Sequence, residues 1–329
     1  MEDKRELGLK AVHSARADRK ANKYGRISGP AWLVGGALVV AAVVISYLVS
    51  DRSLGAAKDE ILSQQRAAVA TVGAEWTPLR DKIEKITVEA ANAQAKDDMV
   101  DPEAAKWDFR GLPSIYLRLR LADAKNVDSI RKNARESVKD SFTGCLLRYT
   151  NTALAKGEAD AATLPDQPWN LRQAYQATRV MNDDWAKEVK DSSDKDRLRV
   201  FQQQYDKAKR DEIPMAIDIV KRAQFYLLVL DEDVPEARDL AGDAGKITEE
   251  ALQQVPHPAR VHVVNLKTGK ELARLRREPE AGFQFVGEGQ VRDPATIAAM
   301  KRQVNNCQLA QEVWTAIRPP PPDAADAGK

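Results

Sequence analysis

The chain has 329 residues, with 51 Lys and Arg against 49 Asp and Glu, a formal net charge of +2, 30% charged residues and only 6% aromatic ones. The positive excess is local: residues 1–26 carry eight basic and four acidic side chains, the remainder 43 basic and 45 acidic. A near-neutral body has no electrostatic footprint for nucleic acid, which excludes that class of partner, and few aromatics suit solvated helices better than an aromatic-lined sugar or nucleotide cleft.

Residues 31–49, AWLVGGALVVAAVVISYLV, contain no charge. A helix needs about 20 mostly apolar residues to cross a hydrocarbon core about 30 Å thick, so the run predicts a transmembrane signal-anchor over 29–50. It exceeds a signal-peptide core and is followed by no A-x-A cleavage site. Lys and Arg are retained on the cytoplasmic side, so the basic tail 1–28 is expected inside and the rest translocated. The expected localisation is the inner (cytoplasmic) membrane, single-pass, with a periplasmic C-terminal domain. Trp32 and Tyr47 sit near opposite ends of the run, where amphipathic rings favour the interface. Ala31/Gly35 and Ala42/Ser46/Ser50 place small residues four apart, the spacing of a homodimer of spans. None of the ten asparagines starts a glycosylation sequon, which points to a bacterial periplasm rather than a eukaryotic lumen.

From Ser53 the pattern turns helical. Leu54, Ile61 and Ala68 recur at seven; after a four-residue stutter, Val72, Trp76, Leu79, Ile83 and Ile86 alternate by four and three, the narrow seam of a coiled coil. Thr77-Pro78 reads as a cap with Pro at the first helical position, predicting two helices over 52–75 and 78–97 in a stalk spanning 51–98. The seam of Leu54, Ile61, Val72, Leu79, Ile83 and Ile86 either takes a partner helix or packs on the chain's own domain, and spacing alone leaves both open.

The fold expected over 99–317 is an α/β domain of the α+β kind: a mixed or antiparallel sheet of about four strands packed with several helices. Asp101-Pro102 caps a short helix through Trp107. In SIYLRLRLAD, Ile115, Leu117, Leu119 and Leu121 alternate with Tyr116, Arg118 and Arg120, predicting a strand with one covered and one wetter face. A helix capped at Asn126 or Asp128 is expected through Arg148, two more over 169–189 and 194–211, and another opened by Pro214. QFYLLVL at 224–230 reads as a buried strand. RVHVVNL, KTGK and ELARLRR read as a hairpin. Asp293-Pro294 starts a final helix to about Ile317, and the Pro-rich 318–329 tail is expected to be disordered.

Cys145 and Cys307 both fall on the translocated side. In an oxidising compartment such a pair predicts a disulfide closing a loop of about 160 residues, stabilising by about 2–4 kcal/mol; two buried free thiols are the alternative.

Catalytic and cofactor motifs are absent from the sequence. His257 and His262 are the only close histidines, and His262 reads as a surface or satisfied core residue rather than a ligand. GDAGK at 242–246 lacks the phosphate-loop spacing, and GEGQ at 287–290 lacks the third glycine of a dinucleotide fingerprint. Asp231, Glu232 and Asp233 follow a buried strand, where α/β proteins place sites, yet such a run is ordinarily a solvated loop. No cofactor, metal or catalytic residue is therefore assigned.

The expected function is non-enzymatic: a membrane-anchored periplasmic interaction protein of a cell-envelope assembly, meeting the lipid bilayer through its span and envelope proteins through its stalk or sheet domain. The layout is similar to that of bitopic components of pilus, secretion and division machines, with no motif matched residue by residue. A ligand-sensing domain working with a separate membrane partner is the alternative, and an envelope hydrolase using unidentified carboxylates the third reading.

Overall fold

A computed structural model describes residues 29–94, 97–105, 113–137, 140–150, 168–240, 246–279 and 293–318, the side chains of 29–32, 46–51 and 148–150 excepted. Its longest element is helix α1, Gly29–Asn92, which runs unbroken for 64 residues with Pro78 inside it. The break expected at Thr77-Pro78 does not occur. Pro removes one backbone hydrogen bond and crowds the preceding turn, but Pro78 faces solvent, the side on which long helices curve outward. On either side of it Trp76 and Ile83, each 2% exposed, are held in the core. Packing there outweighs the local stop signal.

α1 also resolves the choice left open for the seam. Ile61 and Ile83 are buried in the domain's first core, and Leu54, Val72, Leu79 and Ile86 pack partly buried against it. The seam therefore belongs to the domain's own wall. Trp76 meets Tyr175 edge to face with ring centroids 6.3 Å apart, Thr87 Oγ1 lies 2.8 Å from the buried Tyr226 hydroxyl, and Glu84, almost fully buried, accepts from Arg131 at 2.9 and 2.8 Å. Ahead of this wall, Leu33, Val34, Leu38, Val39, Val40, Val43, Val44 and Ile45 are at least half exposed. Among the described residues no helix is long and apolar enough to cross a membrane. The described side chains of the apolar run stop at residues 33 and 45, and Trp32 and Tyr47 lie outside them.

After α1 come β1 (Met99–Val100), α2 (Pro102–Ala105), β2 (Ser114–Arg120), α3 (Val127–Asn133), α4 (Phe142–Thr150), β3 (Trp169–Asn170), α5 (Arg172–Ala177), α6 (Asp183–Asp191), α7 (Lys195–Lys207), α8 (Ile213–Arg222), β4 (Phe225–Asp231), α9 (Glu249–Leu252), β5 (Ala259–Asn265), β6 (Glu271–Arg277) and α10 (Pro294–Ile317). Asp101 Oδ1 accepts from Glu103 N at 2.9 Å at the start of α2; the expected continuation to Trp107 lies outside the described residues. Asn126 caps α3 by accepting from Ser129 N at 2.9 Å, but the helix expected through Arg148 stops at Asn133, and α4 starts afresh with Asp140 Oδ1 accepting from Phe142 N at 3.0 Å. The helix expected over 169–189 is likewise divided: Trp169–Asn170 pairs as β3, and a 3-10 turn, Thr178–Met181, separates α5 from α6. A π turn, Ala208–Glu212, joins α7 to α8. Asp293 caps α10 through Thr296 N at 3.0 Å.

The sheet has six strands in the order β1-β6-β5-β4-β2-β3. β2 runs parallel to β3 and β4; β4–β5, β5–β6 and β6–β1 are antiparallel. The four long strands are the four expected, and β1 and β3 add two-residue edges. Gly269, at φ +72, makes the β5–β6 turn, a backbone region glycine enters without steric penalty. One sheet face carries the first core under α1 and α5–α8; the other carries a second core under α4 and α10. The wetter face expected of β2 is absent, because all seven of its residues are buried. Cys145 of α4 and Cys307 of α10 form a disulfide with Cα atoms 5.0 Å apart, tying together the two helices that cover the second core.

Because Trp76 is a core residue of the helix wall, Trp76→Ala is expected to cost about 3–5 kcal/mol, measured by urea unfolding of the full chain. Opening the disulfide with Cys307→Ser is expected to cost about 2–4 kcal/mol in the same assay.

Candidate functional site

The sheet buries a charge cluster where its two long parallel strands end. The β2–β4 register sets Arg118 opposite Val229 and Arg120 opposite Asp231, so Arg118 and Asp231 share the second-core face. Arg118 donates to Asp231 from Nε at 2.7 Å and Nη2 at 2.9 Å, a bidentate fork. Its Nη1 donates to Asn306 Oδ1 of α10 and lies 3.6 Å from Asp140 Oδ2. The Tyr116 hydroxyl donates to Asp140 Oδ2 at 2.5 Å. His257 Nε2 lies 3.0 Å from Asp231 Oδ1, and its Nδ1 is 2.8 Å from the Val255 carbonyl. Asn306 and Asn305 reach onward to Gln253, at 3.3 and 2.9 Å. Arg118 is 2% exposed and Asp231 0%.

The two carboxylates of this cluster are pushed apart. Burial raises any carboxyl pKa, and for Asp140 that effect prevails over Arg118 and Tyr116, so its pKa is raised. Asp231 is equally buried, but the Arg118 guanidinium, with His257 beside it, overcomes the desolvation and holds it well below the ordinary carboxylate range. Tyr116 is raised well above its usual value by burial and by Asp140. Split carboxylates are a mark of acid–base sites, yet none of the cavities described here is lined by Arg118, Asp231, Asp140 or His257. Physically the cluster is a clamp joining β2, β4, α10 and the 253–257 segment.

Just beyond it the strand ends meet solvent. Arg120 pairs with Asp233 at 2.9 and 2.6 Å and with Asp123 at 3.4 Å. Here a polar cleft of about 210 Å³ opens, lined among others by Arg120, Asp123, Asn133, Lys246, Thr248 and Glu249. Crevices past the carboxyl ends of parallel strands are where open α/β sheets bind ligands. Asp123 lies on the 3-10 turn after β2 and Asn133 on α3, and both elements pack on α1: Asn92 Nδ2 donates to the Lys125 carbonyl at 3.0 Å, and Arg131 grips Glu84. No group of His, Cys, Asp and Glu suited to a metal ion occurs among the described residues.

The residues singled out in the sequence do not converge here. The disulfide lies in the second core, the seam in the first, and the side chains of Trp32 and Tyr47 are outside those described. The Asp231–Asp233 run, expected as a solvated loop, instead divides: Asp231 is buried in the clamp, Glu232 binds Arg260 at 2.7 Å and Arg276 at 3.0 Å, and Asp233 holds Arg120. The cluster residues Arg118, Asp140, His257 and Asn306 carried no sequence signal as a set. The single hint was an arginine inside an apolar strand with an aspartate closing another.

No family model, curated protein or solved structure matches the chain. The site must be judged on its own geometry.

Asp231→Asn leaves Arg118 and His257 buried against a neutral amide and is expected to cost about 3–5 kcal/mol, whereas Asp140→Asn, which mimics the protonated acid, is expected to cost under about 1 kcal/mol. The signs of their pH dependence are opposite. Stability from Asp231 is present above the unfolded carboxyl pKa, about 3.9, and is lost as pH falls through its depressed folded value. Stability from neutral Asp140 is full below that unfolded pKa and is lost as pH rises through its raised value. Urea unfolding across the acid range is therefore expected to show a loss of stability above about pH 4 that Asp140→Asn removes.

Proposed function

We propose that the chain is a single-pass protein of the inner membrane whose tail 1–28 is cytoplasmic and whose α/β domain stands in the periplasm as a non-enzymatic interaction module of an envelope assembly. The observation that carries this reading is the double use of α1: one unbroken helix has exposed apolar side chains over 33–45 and supplies Ile61, Ala68, Trp76 and Ile83 to the domain core. Solvent-exposed aliphatic side chains in such a run are costly in water and favourable in lipid. From Ile45 to Leu54, the first packed residue, the helix rises only about 14 Å. The domain therefore sits close to the bilayer surface in a fixed orientation, with no free stalk between them. A rigidly tethered domain suits an assembly component, which presents one surface repeatedly at one height. Partners must use a surface other than the seam, since that is consumed within the chain.

The polar cleft favours a second reading, ligand sensing through a separate membrane partner. Its Asp123 and Asn133 stand on elements braced against α1, so a ligand there acts on the same helix that enters the bilayer.

Alkaline carbonate extraction of native membranes, combined with protease treatment of spheroplasts, tests the anchoring. The full chain is expected in the carbonate-resistant fraction with residues 97–329 cleaved from the outer side. Release into the soluble fraction, or protection of the domain, contradicts it. Crosslinking in those membranes then separates the two readings: a stoichiometric set of partners supports the assembly component, while one membrane partner captured only with an added small ligand supports the sensor.

A further inference from the structure

A groove of about 610 Å³ runs between α1 and α7, within the roughly 300–1,000 Å³ that small-molecule sites occupy. Its floor is apolar: Ile61 of α1 and Leu198 of α7 line it and are each 3% exposed. Its walls carry separated charges, Glu60 on α1 facing Lys195 and Arg199, one turn apart, on α7, all three exposed. One end is closed where Gln202 Nε2 donates to Gln64 Oε1 at 2.9 Å and the Tyr205 hydroxyl to the Gln64 carbonyl at 2.7 Å. The other end reaches Ser53.

That end adjoins the apolar run. Ser53 lies about 5 Å along the helix past residue 50, within a headgroup layer about 5–7 Å deep. α7 runs in the same direction as α1, because the contacts of Lys58 with Lys190 and of Gln64 with Tyr205 advance together along both. Helical side chains lean toward the helix N-terminus, so Glu60, Lys195 and Arg199 all lean toward the apolar run. Lys195 and Arg199 enter no hydrogen bond or ion pair among the described residues, and Glu60 only accepts from its neighbour Gln64 Nε2 at 3.4 Å. Asp194 is occupied in capping α7, accepting from Asp196 N at 3.0 Å. With Asp196 next to Lys195, two cations stand beside two carboxylates, so the groove offers a pattern of signs rather than a net charge. An ion of one sign gains little from such a pattern, whereas a zwitterion matches it.

We propose that the groove holds the headgroup of a zwitterionic, amine-bearing membrane phospholipid. Its phosphate lies between Lys195 and Arg199, where a guanidinium can grip two oxygens, and its ammonium lies at Glu60. The ethylene link between them covers Ile61 and Leu198, and the acyl chains leave past Ser53 into the bilayer. The inference rests on the membrane-anchored reading of α1 and adds a lipid that fixes α7 at the membrane surface.

The test reconstitutes the full chain in nanodiscs of equal phosphatidylethanolamine and phosphatidylglycerol, the second of which keeps the phosphate but lacks the ammonium. Native mass spectrometry counts the lipids kept when the chain is released from the disc. One phosphatidylethanolamine per chain is expected, preferred about fivefold, the discrimination that one exposed ion pair supplies. Glu60→Gln is expected to abolish the preference, and Lys195→Gln with Arg199→Gln to cut retention of either lipid about fivefold or more. All three side chains are exposed, so the variants keep the fold. Equal retention of the two lipids by the native chain, a preference that survives Glu60→Gln, or retention untouched by the double substitution overturns this proposal and leaves the anchoring intact. A chain that fails to enter the discs overturns both.

Discussion

Between Leu54 and Ala91 one helix supplies a complete wall of the first core, and the remaining architecture is arranged around that burial. Ile61, Ala68, Trp76, Ile83 and Ala91 are each no more than 5% exposed, although they lie on an element that begins as an exposed apolar rod. At about 25 cal/mol per Å² of apolar area, such contacts along many turns bind the helix to α5–α8 and the sheet far more firmly than a proline destabilises it. This is why the helix continues through Pro78. It is also why the domain cannot be raised on a flexible stem. The polar contacts along the same helix, Glu84 with Arg131, Thr87 with Tyr226 and Gln64 with Tyr205, fix its rotation and register, which apolar packing alone leaves loose.

The second core depends on a different kind of interaction. Arg118 and Asp231 are taken wholly out of water, at a desolvation cost that good geometry only just offsets. The groups around them come from several elements: Asn306 from α10, Asp140 from the turn before α4 and His257 from the segment before β5, with Tyr116 of β2 donating to Asp140. Such a cluster adds little stability relative to an apolar core but penalises any other arrangement of these elements. It also explains why the helix expected from Asn126 to Arg148 breaks, since Asp140 must leave the helical path to reach both Arg118 and the start of α4. With the disulfide between α4 and α10, the covering layer of this face is fixed covalently as well as electrostatically.

How much was legible in the sequence follows from the range of each interaction. The four long strands, the β5–β6 hairpin and α10 rest on alternation, one continuous apolar run, turn chemistry and an Asp-Pro cap, all local, and they were readable. The cysteine pairing was expected from the count of two and a proposed oxidising compartment, and the disulfide is present. The two-residue strands β1 and β3 have no periodicity to detect, and Trp169, which pairs opposite Ile115, reads as helical by spacing alone. The face of β2 was misread because alternation treats Arg118 as a wet position. Its partner Asp231 is 113 residues away, and only the parallel pairing of β2 with β4 brings the two together. The seam shows the same limit: its spacing is equally that of a coiled coil and of a helix lying on a domain, and the choice is made by α7 and α8, which no pattern within residues 51–98 reveals.

Amide hydrogen exchange of the full chain in detergent, resolved by peptide, addresses most directly the claim that α1 is at once tether and core. Elements of one cooperative unit share their protection, so residues 61–91 should exchange as slowly as strand β4, and lose protection together with it as denaturant is added. If instead 54–91 exchanges early while β4 stays protected, the helix is a separate stalk and the account is wrong.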